Sequence, residues 1–169
     1  VWREREHVLA ALPPANRLVC RVCVATGLRV GDVVALRTEQ LARQFWITEQ
    51  KTGKRRRVNL TEELLQQLRA HAGTVWVFPG SRDPVKHHRT RQAVWRDVKR
   101  AAKAFRLPQN VGVHSLRKVY AVQQLNRSKG NVAKVQRALN HSDAATTMVY
   151  AMSWQLYEAK YGKGNRGSS

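Results

Sequence analysis

The stretch HSLRKVYAVQQLNRSKGNVAKVQRALNHSDAATTMVY, residues 114–150, holds the most informative group of polar side chains in the sequence. It begins with His114 and Arg117, three positions apart, and ends with His141 nine positions before Tyr150. Phenol, imidazole and guanidinium groups can attack a phosphodiester, move its protons and neutralise its charge. We therefore interpret this stretch as part of a site that acts on a phosphodiester, with the other part supplied by the first half of the chain.

Composition favours one folded domain with a polyanionic partner. Of the 169 residues, 43% are hydrophobic and 25% charged, which is typical of a globular protein long enough for one core. The 31 Lys and Arg residues against 11 Asp and Glu give a net charge of +20, which favours nucleic acid as the partner. We expect a single domain over residues 1–162 and a flexible tail over 163–169. No apolar run approaches the roughly 18 residues that a membrane span needs.

The two cysteines, Cys20 and Cys23, form a lone C-x-x-C motif within an apolar stretch. A zinc site would need a second pair of ligands, and a thioredoxin-type site would need a different strand context. At positions i and i+3 of a helix, both thiols are expected to pack in the core, which fits a reducing compartment.

Apolar periodicity predicts a mainly α fold with a small three-stranded antiparallel sheet (α+β). The predicted strands lie within residues 43–50 and 55–60, joined as a hairpin by the turn KTGK, and within 75–80. Residues 81–91 are predicted to form a basic loop. The predicted helices cover about 4–11, 16–26, a short segment within 28–37, 62–69, 95–105, 114–127, 131–139, a short segment carrying Tyr150, and 154–161.

The same periodicity predicts which side chains face the core. Gly27 is expected to end the second helix, and Thr61 to cap the start of helix 62–69. The apolar side chains at helical spacing are Leu18, Val22 and Ala25; Leu64, Leu65 and Leu68; Trp95, Val98, Ala102 and Phe105; and Val132, Val135 and Leu139.

The acidic residues are few and unclustered, which argues against a two-metal nuclease. The transition state of phosphodiester cleavage carries negative charge on its non-bridging oxygens, and guanidinium and imidazole donors can meet that charge without a metal ion. Catalysis by cationic side chains is therefore the simplest interpretation.

Five motifs in a fixed order resemble those of the tyrosine recombinases, the lambda-integrase family of site-specific DNA recombinases. ATGLRVGD, residues 25–32, resembles the family's A-T-G-L-R-x-x-[ED] box, and EQKTGKRRRVNL, residues 49–60, resembles the hairpin that carries its catalytic Lys. HSLR, residues 114–117, is similar to the H-x-x-R box, and LNH, residues 139–141, to the L-G-H box. The fifth match is Tyr150, which follows His141 by nine residues, as the family's Tyr does. The resemblance spans about residues 16–152.

The resemblance implies a tyrosine recombinase catalytic-domain fold that cleaves and rejoins DNA without metal or cofactor. Tyr150 would attack the phosphodiester to give a 3′-phosphotyrosyl bond and a 5′-hydroxyl, while two arginines clamp the phosphate. Lys51 would protonate the leaving oxygen, His114 would move a proton near the nucleophile, and His141 would hydrogen-bond a phosphate oxygen. The implied catalytic residues are Arg29, Lys51, His114, Arg117, His141 and Tyr150, with Asp32 orienting the cations.

Several assignments have alternatives. Taken singly, the two arginines could be surface residues, and the two histidines could be core residues. Lys54 competes with Lys51 because it lies three positions on in the same turn, whereas Tyr120, Tyr157 and Tyr161 do not follow a His by nine residues. The remaining candidates for DNA contact, with a solvated surface as their alternative, are Lys54, Arg55, Arg56, Arg57, His87, His88, Arg89 and Arg91.

One residue departs from the family pattern. Asn140 stands where the family usually has Gly, and we interpret it as a tolerated variant because Asn accepts left-handed backbone geometry; a weakened site is the alternative. The family's N-terminal core-binding domain has no counterpart in this sequence, so we expect the chain alone to bind DNA less tightly and to cleave it poorly.

The implied function is site-specific recombination through a Holliday junction. The expected partners are a double-stranded DNA recombination site and further copies of the chain, as a tetramer on two sites joined through the C-terminal segment, with no membrane partner. A type IB topoisomerase and a non-catalytic DNA-binding module are the alternatives. The expected location is the cytoplasm, with the nucleoid, in a prokaryote, phage or mobile element.

Overall fold

The computed structural model describes residues 2–106, 112–139 and 152 of the chain. Within these residues the protein is mostly helical, with one antiparallel hairpin, as predicted. The helices are α1 (Trp2–Ala10), α2 (Pro14–Thr26), α3 (Val30–Val34), a 3₁₀ turn (Thr38–Gln40), α4 (Glu62–His71), α5 (Arg91–Ala104), α6 (Val113–Arg127) and α7 (Val132–Leu139), and the strands are β1 (Gln44–Thr48) and β2 (Arg55–Asn59).

The chain forms two compact units, and the boundary between them falls within α6, after Arg117. The first unit has a core to which α1–α5, the hairpin and the start of α6 contribute; Val19, Val33 and Phe78 are completely buried in it. The second unit has its own small core, in which Val135 and Leu139 of α7 pack with Leu125 of α6, as the periodicity predicted. No helix among the described residues is both long and apolar enough to cross a membrane.

Helix α2 ends at the point from which the candidate site is built. Pro14 occupies its first turn, where the missing N–H costs nothing, and Gly27 ends it in a left-handed conformation with φ 70°. The N–H of Gly27 donates to the carbonyl of Cys23 at 2.8 Å. Both cysteines are buried free thiols, as predicted, and burial raises the pKa of Cys20 to about 12.

The hairpin pairs β1 with β2 so that Phe45 lies opposite Val58 and Ile47 opposite Arg56. Alternate side chains of β1 are buried, because successive residues of a strand point to opposite faces. Gly53 has φ 65° in the connecting turn, a conformation that side-chain-bearing residues rarely adopt. The predicted hairpin is therefore confirmed, including its turn.

The third predicted strand is wrong. Residues 75–80 make only isolated bridges, from Trp76 to Arg37 and from Pro79 to His88, and the sheet has two strands. Val77 does donate to the carbonyl of Leu36 at 3.0 Å, which is the start of a ladder. Pro79 has no N–H with which to extend it, and the alternating apolar pattern could not reveal that the partner segment is a turn rather than a strand.

The predicted inner face of α5 is also partly wrong. Val98 and Ala102 are buried, but Trp95 and Phe105 are 47% and 43% exposed, and Val94 and Ala101 complete the buried face instead. Successive residues of an α-helix are rotated by about 100° around its axis. Val94 therefore lies on the same buried face as Val98, whereas Trp95 lies at the side of that face. In α2, Leu18 and Val22 are buried as predicted, while Ala25 is exposed. Thr61 caps α4 as predicted, accepting from the Leu64 N–H at 3.3 Å.

Candidate active site

Arg29 lies directly before α3, two residues beyond the left-handed Gly27. Its side chain is 24% exposed, and Nη1 donates to Oε2 of Glu49 at 2.7 Å. The end of α2, the turn at Gly27 and the start of α3 therefore project this guanidinium toward the hairpin. A partly exposed Arg held by a buried carboxylate can still offer its free edge to an anion.

Glu49 was not predicted as a site residue, yet its side chain is completely buried. Oε2 also accepts from Thr52 Oγ1 at 3.0 Å, and Oε1 lies 3.6 Å from Nη1 of Arg56. Burial by itself would raise the pKa of Glu49, but hydrogen bonds from Arg29 and Thr52 and the positive charge nearby outweigh burial and lower it. Glu49 is therefore a stable carboxylate at the centre of a cluster of cations.

The alternation of side chains along β1 is the sequence signal that places Glu49 inward. Phe45 and Ile47 are the buried residues of β1, and Glu49 is the next position of the same parity. On β2, Arg56 precedes the buried Val58 with the same parity. An acid and a base placed inward at one end of a hairpin are expected to pair, since isolated charges are rarely buried.

Asp32, in the first turn of α3, is buried and holds the hairpin turn by its backbone. Its Oδ1 accepts from the N–H of Gln50 at 2.9 Å. Burial raises the pKa of Asp32, the Gln50 hydrogen bond opposes that rise, and the negative charge of Glu49 adds to it. The predicted acidic position thus contacts the residue directly before Lys51.

Two arginines converge on the carbonyl of Gly27. Arg117, which is buried, donates through Nη1 to that oxygen, and Arg56 Nη1 lies 3.4 Å from it while Nη2 donates to the carbonyl of Thr26. Carbonyl groups at a helix C-terminus lack helical partners and carry partial negative charge, so they bind guanidinium groups well. The end of α2 therefore gathers two arginines beside Arg29.

Lys51 and Lys54 both lie in the hairpin turn and both are exposed. The turn is closed by hydrogen bonds from Glu49 N–H to the Lys54 carbonyl at 3.0 Å and from Gly53 N–H to the Glu49 carbonyl at 2.8 Å. His114 is exposed in the first turn of α6, one turn before Arg117 and on the same side of the helix. Lys51, His114 and the two predicted clamp arginines all belong to the first unit.

The other predicted DNA-contact residues have different environments. Arg55 lies over the ring of exposed Trp46, 5.1 Å from its centroid, and Arg57 donates to Gln44 Oε1. Arg56 is instead only 10% exposed and is held by Glu49 and the α2 carbonyls.

The predicted basic loop is confirmed as a loop, ending at α5. His87 is exposed, and its carbonyl accepts from the Gly80 N–H at 2.8 Å. His88 contacts the ring of Trp76 edge-on, at 5.0 Å between centroids. Arg89 is half-buried, and Arg91 is exposed at the start of α5. The loop therefore offers both exposed and packed cations.

Other predicted site residues lie outside the described residues, namely Asn140, His141 and Tyr150, together with the competing phenols Tyr157 and Tyr161. Tyr120, the third competing phenol, is buried in the core of the second unit, as expected of a packing residue. Among the described residues, no group of three or more His, Cys, Asp or Glu side chains is placed to hold a metal ion.

Comparison with known proteins identifies the family. The phage integrase family matches residues 4–155, so the chain belongs to the phage integrase family. The tyrosine recombinase XerD of Rhizobium meliloti is 33% identical over 137 residues, covering 75% of this chain and 43% of XerD. The chain spans about half the length of most of the curated relatives that it matches.

Solved structures agree on the fold. The crystal structure of XerA recombinase matches with a TM-score of 0.73 at 19% identity, covering all of this chain and 64% of XerA. A lambda integrase dimer bound to a COC′ core site matches with a TM-score of 0.72 at 19% identity, covering 99% of this chain and 60% of the integrase. The predicted fold class, that of a tyrosine recombinase catalytic domain, is confirmed. The match to the phage integrase family favours a recombinase over the topoisomerase and non-catalytic alternatives.

Proposed function

We propose that this chain is the catalytic part of a site-specific DNA recombinase, which cleaves and rejoins DNA strands without a metal ion through a 3′-phosphotyrosyl intermediate. Residues 1–162 act as one catalytic domain on a double-stranded recombination site. The observation that supports this most is the convergence around Gly27, where Arg29, Arg117 and the turn bearing Lys51 come together from distant parts of the chain.

Each step of the reaction has a group suited to it. Arg29 and Arg117 neutralise the non-bridging oxygens of the scissile phosphate, because a guanidinium offers paired donors in the plane that a phosphate requires. Tyr150 attacks phosphorus, and the 5′-oxygen departs with a proton from Lys51. Rejoining is the reverse attack of a 5′-hydroxyl on the phosphotyrosine, so the energy of the phosphodiester is conserved.

The histidines and Asp32 complete the site. His114 accepts the phenolic proton of Tyr150 during cleavage and returns it during rejoining, and its exposed position leaves it open to DNA. His141 hydrogen-bonds a phosphate oxygen. Asp32 keeps the Lys51 turn against α3 through its bond to Gln50, which supports its role in orienting the cations.

DNA is bound first through its backbone. Arg55, Arg57 and Arg91 are exposed cations that can contact backbone phosphates, and the net charge of +20 supplies the long-range attraction. The lambda integrase dimer of similar fold is bound to a COC′ core site, which supports a DNA partner for this chain; on DNA the protein acts in the nucleoid.

We further propose that four copies assemble on two DNA sites, exchange strands through a Holliday junction and contact one another through the C-terminal segment. Light scattering of the DNA complex tests this. A complex with the mass of four chains and two duplexes is expected, and a stable one-chain complex at saturating protein would contradict it.

Covalent capture on DNA tests the chemistry and finds the site at the same time. The protein carrying this chain is incubated with a randomised duplex library in EDTA, denatured with SDS, and the DNA joined to protein is recovered and sequenced. We expect a recurring sequence attached at a 3′ end, with a free 5′-hydroxyl opposite. The Tyr150→Phe variant should give no adduct; an adduct from that variant, or a requirement for magnesium, would overturn the proposal.

A nicked duplex carrying the captured sequence then assigns the general acid. Cleavage is trapped because the short fragment bearing the 5′-hydroxyl diffuses away. Lys51→Ala should slow cleavage, and a 5′-thio leaving group should restore the rate because a thiolate departs without a proton. Lys54→Ala is the matched control from the same turn; rescue confined to Lys54→Ala would transfer the role to Lys54.

A further inference from the structure

We propose that Glu49 is a positioning residue of the recombination site, which fixes the guanidinium of Arg29 in the orientation that binds the scissile phosphate. The inference rests on the proposed function, and it gives a role to a residue to which the family resemblance assigned none. Three properties of Glu49 suit it to this role: its burial, its contacts and its place in the hairpin.

Burial makes the carboxylate a rigid reference point. The Glu49 side chain has no exposed surface, whereas Arg29 keeps 24% of its side chain exposed. A buried carboxylate cannot turn toward solvent, so the 2.7 Å bond from Nη1 determines which edge of Arg29 remains available. Without this bond a long, partly exposed Arg would sample many rotamers and would lose entropy on binding phosphate.

The contacts of Glu49 suit it to Arg29 in particular. Oε2 receives both the Arg29 bond and the Thr52 hydroxyl, while Oε1 faces Arg56 at 3.6 Å. Arg56 is in turn held at the carbonyls of Thr26 and Gly27. Arg56 therefore shares the negative charge of Glu49, which leaves Arg29 with positive charge to spare for a phosphate.

The place in the hairpin joins two parts of the site. Glu49 ends the β1 pattern and forms the turn through its own N–H and carbonyl, two residues before Lys51. Glu49 thus contacts Arg29 through its side chain and closes the turn that carries Lys51 through its backbone. Substitution of the side chain alone separates these contacts, because the backbone bonds of the turn stay in place.

The test compares Glu49→Gln and Glu49→Ala with Glu63→Gln. Glu63 forms a 3.1 Å ion pair with Arg21 in which the acid is 73% exposed, so its substitution removes a surface Arg–Glu pair that does not include Arg29. On the nicked duplex identified by covalent capture, both Glu49 variants are expected to cleave about 100-fold more slowly, the effect of misplacing a catalytic group by roughly 1 Å. Glu63→Gln should stay within about twofold of wild type.

Two modified substrates distinguish positioning of Arg29 from a general loss of structure. A methylphosphonate at the scissile position lacks one charged oxygen, so it needs less charge neutralisation by arginine. The loss of strand cleavage in Glu49→Gln and Arg29→Ala should therefore be smaller on this substrate than on ordinary phosphate. A 5′-thio leaving group should not restore either variant. Rescue by the thio substrate alone would overturn the proposal, because Glu49 would then act through Lys51.

¹H–¹⁵N NMR of the arginine side chains measures the rotation of the Arg29 guanidinium without requiring catalysis. In wild type the Nη protons of Arg29, assigned with Arg29→Lys, should give separate signals because the Glu49 bond hinders rotation. In folded Glu49→Gln they should merge, and they should stay separate in Glu63→Gln. Unchanged Arg29 signals in Glu49→Gln would overturn the positioning role, whereas absent cleavage by wild type would overturn the proposed function alone.

Discussion

The two faces of the β1–β2 hairpin use the same residue type for opposite purposes. Arg56 points inward and lies against Glu49 and the carbonyls at the end of α2, while Arg55 and Arg57, its direct neighbours, point outward onto Trp46 and Gln44. Alternation along a strand separates them, because successive side chains leave opposite faces. Arginine runs in a basic protein therefore cannot be treated as one DNA-binding surface.

The largest expected difference between the faces is in stability. Arg56→Met leaves Glu49 with less countercharge in a buried site, and breaking a buried ion pair costs about 3 kcal/mol. The matched variant Arg57→Met should cost less than about 0.5 kcal/mol, since it removes an exposed contact. Urea unfolding measures the free energy of unfolding of both variants, provided that the m-value stays the same as in the wild type. Equal losses at the two positions would remove the distinction between the faces.

Acid should weaken the inner face more than the outer one. The pKa of Glu49 is lowered below its ordinary 4.5 in the folded protein, so the folded state binds fewer protons than the unfolded state as pH falls. Its contribution is complete above pH 4.5 and is lost as pH falls through the folded value. Glu49→Gln should flatten the fall of the unfolding free energy below pH 4.5, and Glu63→Gln should not.

Asp32 should respond with the opposite sign. Burial raises its pKa above 3.8, so the folded state keeps its proton longer than the unfolded state, and this contribution fades as pH rises from 3.8 through the folded value. Asp32→Asn should therefore lower the unfolding free energy less at pH 7 than at pH 3. A loss that grows toward pH 7 would show that Asp32 is stabilised as an anion.

A smaller loss of stability is expected on substitution of Gly27, whose carbonyl binds Arg56 and Arg117. Gly27 has φ 70°, and an Ala in the left-handed region costs about 1 kcal/mol. Asn tolerates this region better, so Gly27→Asn should lose less than Gly27→Ala in the same urea experiment. An equal loss for the two variants would mean that the space near Gly27, and not its backbone angle, limits substitution.

Substitution of the outward-facing Arg55 or Arg57 should change stability least and the salt dependence of DNA binding most. Arg55→Ala and Arg57→Ala should each reduce the slope of log affinity against log salt by about 1 on a mixed-sequence duplex, because each removes one phosphate contact. Arg56→Met should leave the slope unchanged. A reduced slope for Arg56→Met would indicate that the inner Arg reaches DNA after all.

Local patterns gave a good account of the helices and the hairpin. Gly27 and Thr61 mark the ends that they were expected to mark, since capping depends on residues within one turn. The third strand failed because a strand needs a partner, and the sequence of 75–80 holds no information about the segment opposite. The expectation for Trp95 was wrong because the three-residue spacing from Trp95 to Val98 fits a helix face almost as well as the four-residue spacing from Val94, which is the buried residue.

The site could be predicted only where side chains act directly. Arg29, Asp32 and Arg117 stand in recognisable motifs, and the structure brings all three to the end of α2 and the hairpin. Glu49 has no motif of its own, because its partners lie 20 residues before it and on the neighbouring strand. Only the parity of the strand, which places it inward with Ile47, pointed to it.

The shared carbonyl of Gly27 also bears on how the protein folds. Its bond to Arg117 closes a loop of 90 residues, whereas the bond from Arg29 to Glu49 closes 20, and the longer closure costs about 1.3 kcal/mol more in chain entropy. During synthesis the hairpin and Arg29 can assemble well before Arg117 emerges. A ribosome-bound chain therefore carries one of the two predicted clamp arginines before the other, and the proposed DNA cleavage requires most of the chain to have emerged.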